Sequence, residues 1–179
     1  KISLQACMPL CYGGGISSVE DAVRLVSMGY EKISVSSSAL KNIELVRDIS
    51  KAIGAQSTVV TIDVKTNILL RGYSIFSNNG KNKCSIKLSE FLQNIEHYGI
   101  GELVVNSIDK DGKMTGYDLE LAKLVRNSVS CPISILGGCG LTQHMTDLID
   151  EVGLVGACAG SMFVYNGPYN AVLISYSKP

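Results

Sequence analysis

The chain has 179 residues, 46% of them hydrophobic and 18% charged, with 18 glycines and no tryptophan; this suits one buried-core α/β domain and excludes disordered and fibrous classes. Its formal net charge is zero with no basic run, so a nucleic-acid partner has no electrostatic support. No apolar stretch approaches the roughly 18 residues of a membrane span, and Lys1–Leu10 lacks the apolar centre of a signal peptide, so no membrane partner and a cytoplasmic location are expected.

Short apolar runs alternate with amphipathic segments along the chain, the pattern of βα units around a parallel sheet. The predicted strands are Met8–Tyr12, Lys32–Ser36, Ser57–Val64, Glu102–Asn106, Pro132–Leu136 and Leu154–Ala159. They are rich in Val, Ile and Leu, as expected of strands with helices outside and a packed core inside. Between them, Val19, Ala22, Val23 and Val26 fall at helical spacing, as do Leu119, Ala122 and Leu124 with Val125 nearby. Ser18 with Asp21, and Ser89 with Leu92, mark helix starts; Gly29, Gly54 and Gly99 mark stops. Thr66–Cys84 breaks the alternation. Its apolar island Tyr73–Phe76 and its Asn78-Asn79-Gly80 turn predict a hairpin or flap, and long loops after barrel strands carry function.

Pro9-Leu-Cys-Tyr-Gly-Gly-Gly-Ile and Pro132-Ile-Ser-Ile-Leu-Gly-Gly-Cys-Gly share a layout: Pro, apolar strand, glycine cluster. Each leads into a helix, a Gly, a further strand and a small-residue cluster, Ser36-Ser37-Ser38 in one copy and Ala159-Gly160-Ser161 in the other. The offset of 123 residues is about four βα units of roughly 30 residues each. Residues 1–179 are therefore read as a single, incomplete (β/α)8 TIM barrel. About six of its eight units are present, strands 3 to 8, and the two absent ones belong at the amino end. An open barrel of this kind carries bare sheet edges, and the 179-residue chain alone is expected to be poorly active.

Gly13-Gly14-Gly15 and Gly137-Gly138 each close a strand and precede a helix, where glycine lets backbone N–H groups approach an anion. Ser36, Ser37, Gly160 and Ser161 supply further donors to the same two cradles. A pair of cradles half a barrel apart suits a small molecule with a phosphate at each end. Asp63 closes the run Thr58-Val-Val-Thr-Ile-Asp, where a carboxylate points into the barrel mouth and can act as general acid or base. Asp109 and Asp111 follow the next strand, and Asp111-Gly112 reads equally as a plain turn. The cysteines Cys7, Cys11, Cys84, Cys131, Cys139 and Cys158 form no Cys-x-x-Cys pair, and His97 and His144 stand alone. Buried reduced thiols are expected, with no metal and no cofactor.

Gly-Gly-Gly-Ile, Glu-Lys-Ile-Ser, Ile-Asp-x-Lys, Gly-x-Gly-Glu, the block Ser-Ile-Asp-x-Asp-Gly with Gly-Tyr-Asp, and the second Gly-Gly run over nearly the whole chain. In these it resembles the HisF family, the cyclase subunits of imidazole glycerol phosphate synthase, more closely than the sister HisA isomerases. The resemblance implies a lyase-class cyclase of histidine biosynthesis, paired as a heterodimer with a HisH-like glutaminase. Ammonia from that partner would cross the barrel to a bis-phosphorylated substrate, close an imidazole ring and release an aminoimidazole carboxamide ribotide. It further implies that Asp63 is the general acid, one of two essential carboxylates, with Asp111 beside the substrate. Lys32 and Glu102 would be members of a charged ring where ammonia enters; by the residues alone they are a strand-start ion pair. The family's other essential Asp lies on a first strand that this chain lacks. Ser36-Ser37 replaces the usual Asn-Thr, Tyr12 precedes the glycines, and Asn170-Ala-Val-Leu-Ile-Ser-Tyr is shorter than the usual last helix. These features resemble HisF-like paralogues of surface-polysaccharide (lipopolysaccharide) synthesis, which supply ammonia to amidate a sugar. A non-catalytic ammonia-delivering scaffold and a sugar-phosphate isomerase are the remaining readings.

Overall fold

A computed structural model describes residues 5–67, 72–166 and 171–172. Six parallel strands lie side by side in chain order: β1 (Cys11–Gly13), β2 (Lys32–Val35), β3 (Thr58–Asn67), β6 (Glu102–Ser107), β7 (Ile133–Leu136) and β8 (Gly156–Ala157). Between them run α1 (Val19–Ser27), α2 (Ser37–Lys41), α3 (Glu44–Ile53), α4 (Leu88–Ile95), α5 (Leu119–Arg126) and α6 (Thr142–Val152). A short α7 (Ser161–Val164) follows β8, and β9 (Tyr165–Asn166) pairs with β10 (Ala171–Val172). Strands that never reverse order, each returning through a helix, curl into part of a (β/α)8 barrel. Among the described residues no strand pairs with the outer side of β1 or β8. There Tyr12 is 37% and Leu154 95% exposed. The two expected bare edges are present.

Alternation along the strands decides what each face does. Ile33, Val35, Val60, Ile62, Val64, Leu103, Val105, Ile133 and Ile135 are all within 3% of full burial, packed with Ala22, Val46, Ile49, Leu92, Ile95, Leu121, Val125 and Leu148 of the helices. Each such side chain contributes about 1.5–3 kcal/mol by leaving water, so this outer layer holds the fold. The intervening residues Lys32, Ser34, Thr61, Asp63, Glu102, Asn106 and Ser134 are polar and turn the other way, bonding to one another. The apolar interior expected from the sequence is therefore corrected: a largely polar inner face replaces it.

Helix starts follow local chemistry. Ser18 caps α1 by accepting from the Asp21 N–H at 3.1 Å, as read from the sequence. Ser89 does not cap α4, because that helix already begins at Leu88 behind an extended Lys87. Gly54 and Gly99 follow helical turns at φ +92° and +73°. The hairpin is β4 (Gly72–Ser77) and β5 (Asn82–Lys87). It lengthens β3, whose Asp63–Asn67 pairs antiparallel with Phe76–Gly72. Residues 68–71 of the predicted flap, and most of the carboxyl-terminal run, lie outside the described residues; Ala171–Val172 there is strand, not helix.

Candidate functional site

The carboxyl ends of the strands hold a cavity of about 760 Å³, lined by Gly14, Gly15, Ser36, Ser37 and Asp63 together. The structure thus joins the first predicted cradle to the predicted carboxylate. Gly14 and Gly15 take φ +115° and +72°, where a side chain strains the backbone, and no atom stands within 4 Å of where their Cβ would be. The space before them is open to a ligand. Ser38 Oγ donates to the Ile16 carbonyl at 2.6 Å, tying α2 to the glycine turn.

Cations complete this cavity, and sequence reading missed them. Lys41, in the last turn of α2, and Lys81, from the hairpin tip, both line it, with Asn78 and Asn79. Asn78 and Asn79 turn the chain at φ +53° and +55°, and the Asn78 N–H donates to Ser37 Oγ at 3.5 Å. Lys81 follows the Asn-Asn-Gly turn that the sequence picked out, but nothing in one dimension says that a turn after β3 reaches the end of β2.

The second cradle is built differently. Gly137 and Gly138 lie at φ +99° and +102°, and Cβ atoms there would strike the carbonyl oxygens of Ser107 and Gly116. These glycines are demanded by the fold itself. The Gly116 N–H donates to the Gly138 carbonyl at 2.8 Å, clamping the β6–α5 loop over β7. Gly160 is the exception: at φ −129° it needs no glycine, and its Cβ would meet nothing. Its angles (φ −129°, ψ −66°) approach those of Ser36 (φ −128°, ψ −91°), each preceding a short helix, as the internal repeat requires. Gly137, Gly138, Gly160, Ser161 and Asp111 do not line the 760 Å³ cavity. Asp111 stands exposed on its turn, its N–H donating to the Ser107 carbonyl.

The rest of the Asp-Gly…Gly-Tyr-Asp block has structural work. Asp109 Oδ2 accepts from the Thr66 N–H at 2.7 Å. Tyr117, 5% exposed, donates its hydroxyl to the Cys158 carbonyl at 2.8 Å. Asp118 caps α5 through Leu121 N–H and accepts the Tyr73 hydroxyl at 2.9 Å. Burial, with Asp118 as hydrogen-bond acceptor, pushes the Tyr73 phenol far above its usual range, so it stays a donor.

At the amino ends of the strands Lys32 Nζ meets Glu102 Oε2 at 2.5 Å, and Ser134 Oγ donates to Glu102 Oε1 at 2.5 Å. Burial alone would raise the Glu102 carboxyl, but the bonds from Lys32 and Ser134 outweigh it and hold it below its ordinary value. Two residues beyond Lys32 along β2, the Ser34 hydroxyl meets that of Thr61 at 2.6 Å. At the top Asn106 Nδ2 donates to Asp63 Oδ1 at 2.9 Å. Burial and the Glu102 charge push the thiol of Cys158 up, so it is protonated near neutral pH. All six cysteines are unpaired, as expected, but Cys7 and Cys11 are exposed and Cys84, Cys131 and Cys158 half-buried. Buried thiols were expected throughout; Cys11 departs because β1 is an edge strand. No three potential metal ligands gather among the described residues, and no described helix is long and apolar enough to cross a membrane.

A parallel barrel wall with a polar inner face, and an open cavity at the carboxyl ends of its strands that brings Gly14, Gly15, Ser36 and Ser37 to Asp63, defines a protein of the (β/α) barrel class with its candidate site at the barrel mouth. The profile of the histidine biosynthesis protein family matches residues 1–170, and the chain belongs to that family. It is 44% identical over 98% of its length to a protein of Leptospira interrogans named "Putative imidazole glycerol phosphate synthase subunit HisF", covering 69% of that relative. A Vibrio vulnificus protein, named as a hisF3 subunit of the same synthase in the same provisional terms, is 41% identical over the whole chain and 69% of its own length. The imidazole glycerol phosphate synthase subunit HisF of Lactococcus lactis is 36% identical over 92% of the chain and 64% of its own length.

Proposed function

We propose that this chain is the synthase half of an ammonia-using pair. Ammonia released by a separate glutaminase subunit enters between Lys32 and Glu102 and travels up the inner face of the barrel. At the mouth it meets a bis-phosphorylated substrate, closes the imidazole ring of imidazole glycerol phosphate and releases an aminoimidazole carboxamide ribotide. One observation carries this reading: the polar column Lys32–Glu102–Ser134, Ser34–Thr61, Asp63–Asn106. It rises over four residues of β6, about 13 Å, to the cavity holding Asp63. A barrel filled only for stability would place Val, Ile and Leu there; a path for a small hydrogen-bonding molecule needs donors and acceptors. Gly14, Gly15, Ser36 and Ser37 grip one phosphate, with Lys41 and Lys81 supplying the charge. Gly137, Gly138, Gly160 and Ser161, with Asp111 nearby, grip the other. Asp63 is the proton donor.

Residues 1–179 act in this reading as one barrel domain, completed in the whole protein by the strand that carries the partner carboxylate. The test is turnover of the complete protein with ammonia and the bis-phosphorylated substrate. Asp63→Asn is expected to lower kcat by at least about 100-fold, the usual worth of a general acid. Undiminished turnover would sink the reading.

A second reading keeps the ammonia path and changes the acceptor to a surface-polysaccharide sugar. It is favoured by Ser36-Ser37 in the first cradle and by Tyr12, packed edge-on against Tyr30 with ring centroids 5.2 Å apart. Restored growth of a cyclase-deficient strain without histidine would reject it.

A further inference from the structure

Asn106 plays no part in the cradles or the floor pair, yet it holds the carboxylate on which the proposed chemistry turns. It is the register partner of Asp63 across β3 and β6, and its Nδ2 donates to Asp63 Oδ1 at 2.9 Å. The reversed amide would set its carbonyl oxygen against a carboxylate oxygen, so the orientation follows from the pair. Its other end, Oδ1, is buried without a hydrogen-bond partner, the one buried side-chain nitrogen or oxygen among the described residues in that condition. An orphaned acceptor weakens a fold. An aliphatic side chain would fill the position without that loss, as Val104 does two residues earlier on the same face and Leu136 does beside it on β7. Folding alone gives no reason for an amide here; the bond to Asp63 does. A Cβ on Gly137 would stand 3.2 Å from Asn106 Oδ1, so a side chain at that turn would crowd this amide.

We propose that Asn106 is a positioning residue for Asp63: by occupying Oδ1, it leaves Oδ2 as the oxygen that exchanges a proton with the substrate. The inference rests on the reading of Asp63 as the proton donor. In the step it serves, the Oδ2–H bond breaks, the proton passes to a substrate nitrogen or oxygen, and the electron pair stays on the carboxylate. The Asn106 N–H then bonds to a charged oxygen, which strengthens as the charge develops.

The test uses the complete protein, ammonia and the bis-phosphorylated substrate, with wild type, Asp63→Asn, Asn106→Leu and Asn106→Ser compared. Leucine fills the space and donates nothing. Serine keeps an O–H donor, and the Ser34–Thr61 pair shows a hydroxyl bridging neighbouring strands of this barrel at 2.6 Å. Asn106→Leu is expected to lower kcat about 10- to 100-fold, the scale of a misplaced reacting group. Its KM should stay within about twofold, because the phosphate grips are untouched, and Asn106→Ser should recover most of the loss. If Asn106→Leu turns over at the wild-type rate while Asp63→Asn is dead, the positioning role is overturned and the reading of Asp63 stands. Equal losses in the leucine and serine variants, or losses that track a fall in melting temperature, overturn it as well. A wild type without turnover, or an undiminished Asp63→Asn, removes the reading and the positioning role together.

Discussion

Replacing Gly160 with alanine separates a glycine kept for a ligand from one kept for the backbone. At φ −129° the residue lies on the side of the Ramachandran map open to any L-amino acid, and Ser36 occupies nearly the same φ in the other half of the repeat. Among the described residues, no atom beyond the chain neighbours lies within 4 Å of the added methyl. The folded state therefore loses nothing, while the unfolded chain loses freedom. The variant is expected to be as stable as wild type or more so, by up to about 1 kcal/mol, a rise in melting temperature of roughly 0–4 °C for a chain of this size. If the empty volume belongs to a phosphate, the methyl displaces an oxygen from a backbone N–H. A hydrogen bond to a charged group is worth about 1.5–3 kcal/mol, so affinity for the bis-phosphorylated ligand should fall about 10- to 100-fold. Gly138→Ala is the control: at φ +102°, with its Cβ driven into the Gly116 carbonyl, it should cost at least about 2 kcal/mol of stability and lower the melting temperature by roughly 4–8 °C. Scanning fluorimetry and calorimetric titration of both variants read the two effects apart. Wild-type affinity in a stable Gly160→Ala protein would refute the assignment of that glycine to the ligand.

Two further outcomes follow from the site. Lys81→Ala removes an exposed cation from the hairpin tip, so stability should be unchanged while KM rises about 3- to 10-fold at low salt. The difference should shrink as salt is added, because an exposed charge is screened; a KM insensitive to both would place Lys81 outside the grip. Glu102→Gln should cost no more than about 1 kcal/mol, since Lys32 is 44% exposed and water screens the pair. Because the folded carboxyl is held below its ordinary value of 4.5, the stabilisation is present above that pH and fades as the pH falls through the lowered value. Melting curves of wild type and variant should therefore converge as the pH falls below the ordinary glutamate range. On the gate reading, the same variant lowers glutamine-driven turnover more than ammonia-driven turnover; an equal effect on both would assign the pair to stability alone.

The barrel wall was legible because its outer layer obeys simple periodicities. Ile33, Val35, Val60, Ile62, Leu103 and Val105 alternate along the strands, and Ala22, Val46 and Ile49 answer them from the helices. The repeat was legible too, down to the matched turns before α2 and α7. What the sequence concealed was which polar residues share a face. Ser34 and Thr61 are 27 positions apart and Asp63 and Asn106 are 43 apart, and both pairs are set by strand register, which no local pattern encodes. Lys81 was hidden for the same reason, since its place over the first cradle depends on the curl of the sheet. In Asp-Lys-Asp-Gly the bond to a neighbouring element falls to Asp109, which ties Thr66, while Asp111 stands exposed on its turn, and spacing alone could not tell which carboxylate would make that bond.

The two halves of the repeat differ in the loops that reach over them. The hairpin from β3 arrives over Gly14 and Gly15 with Lys81 and leaves an open cavity. The loop from β6 arrives over Gly138 and closes on it, Gly116 bonding to its carbonyl, Tyr117 to Cys158 and Asp118 to the cap of α5. The hairpin is itself tied at both ends of its first strand, Tyr73 donating to Asp118 and the Asn78 N–H to Ser37 Oγ. On the proposed reading, a substrate is held at one end by each cradle. Its reacting part would then lie over β3 and β6, where Asp63 and Asn106 meet.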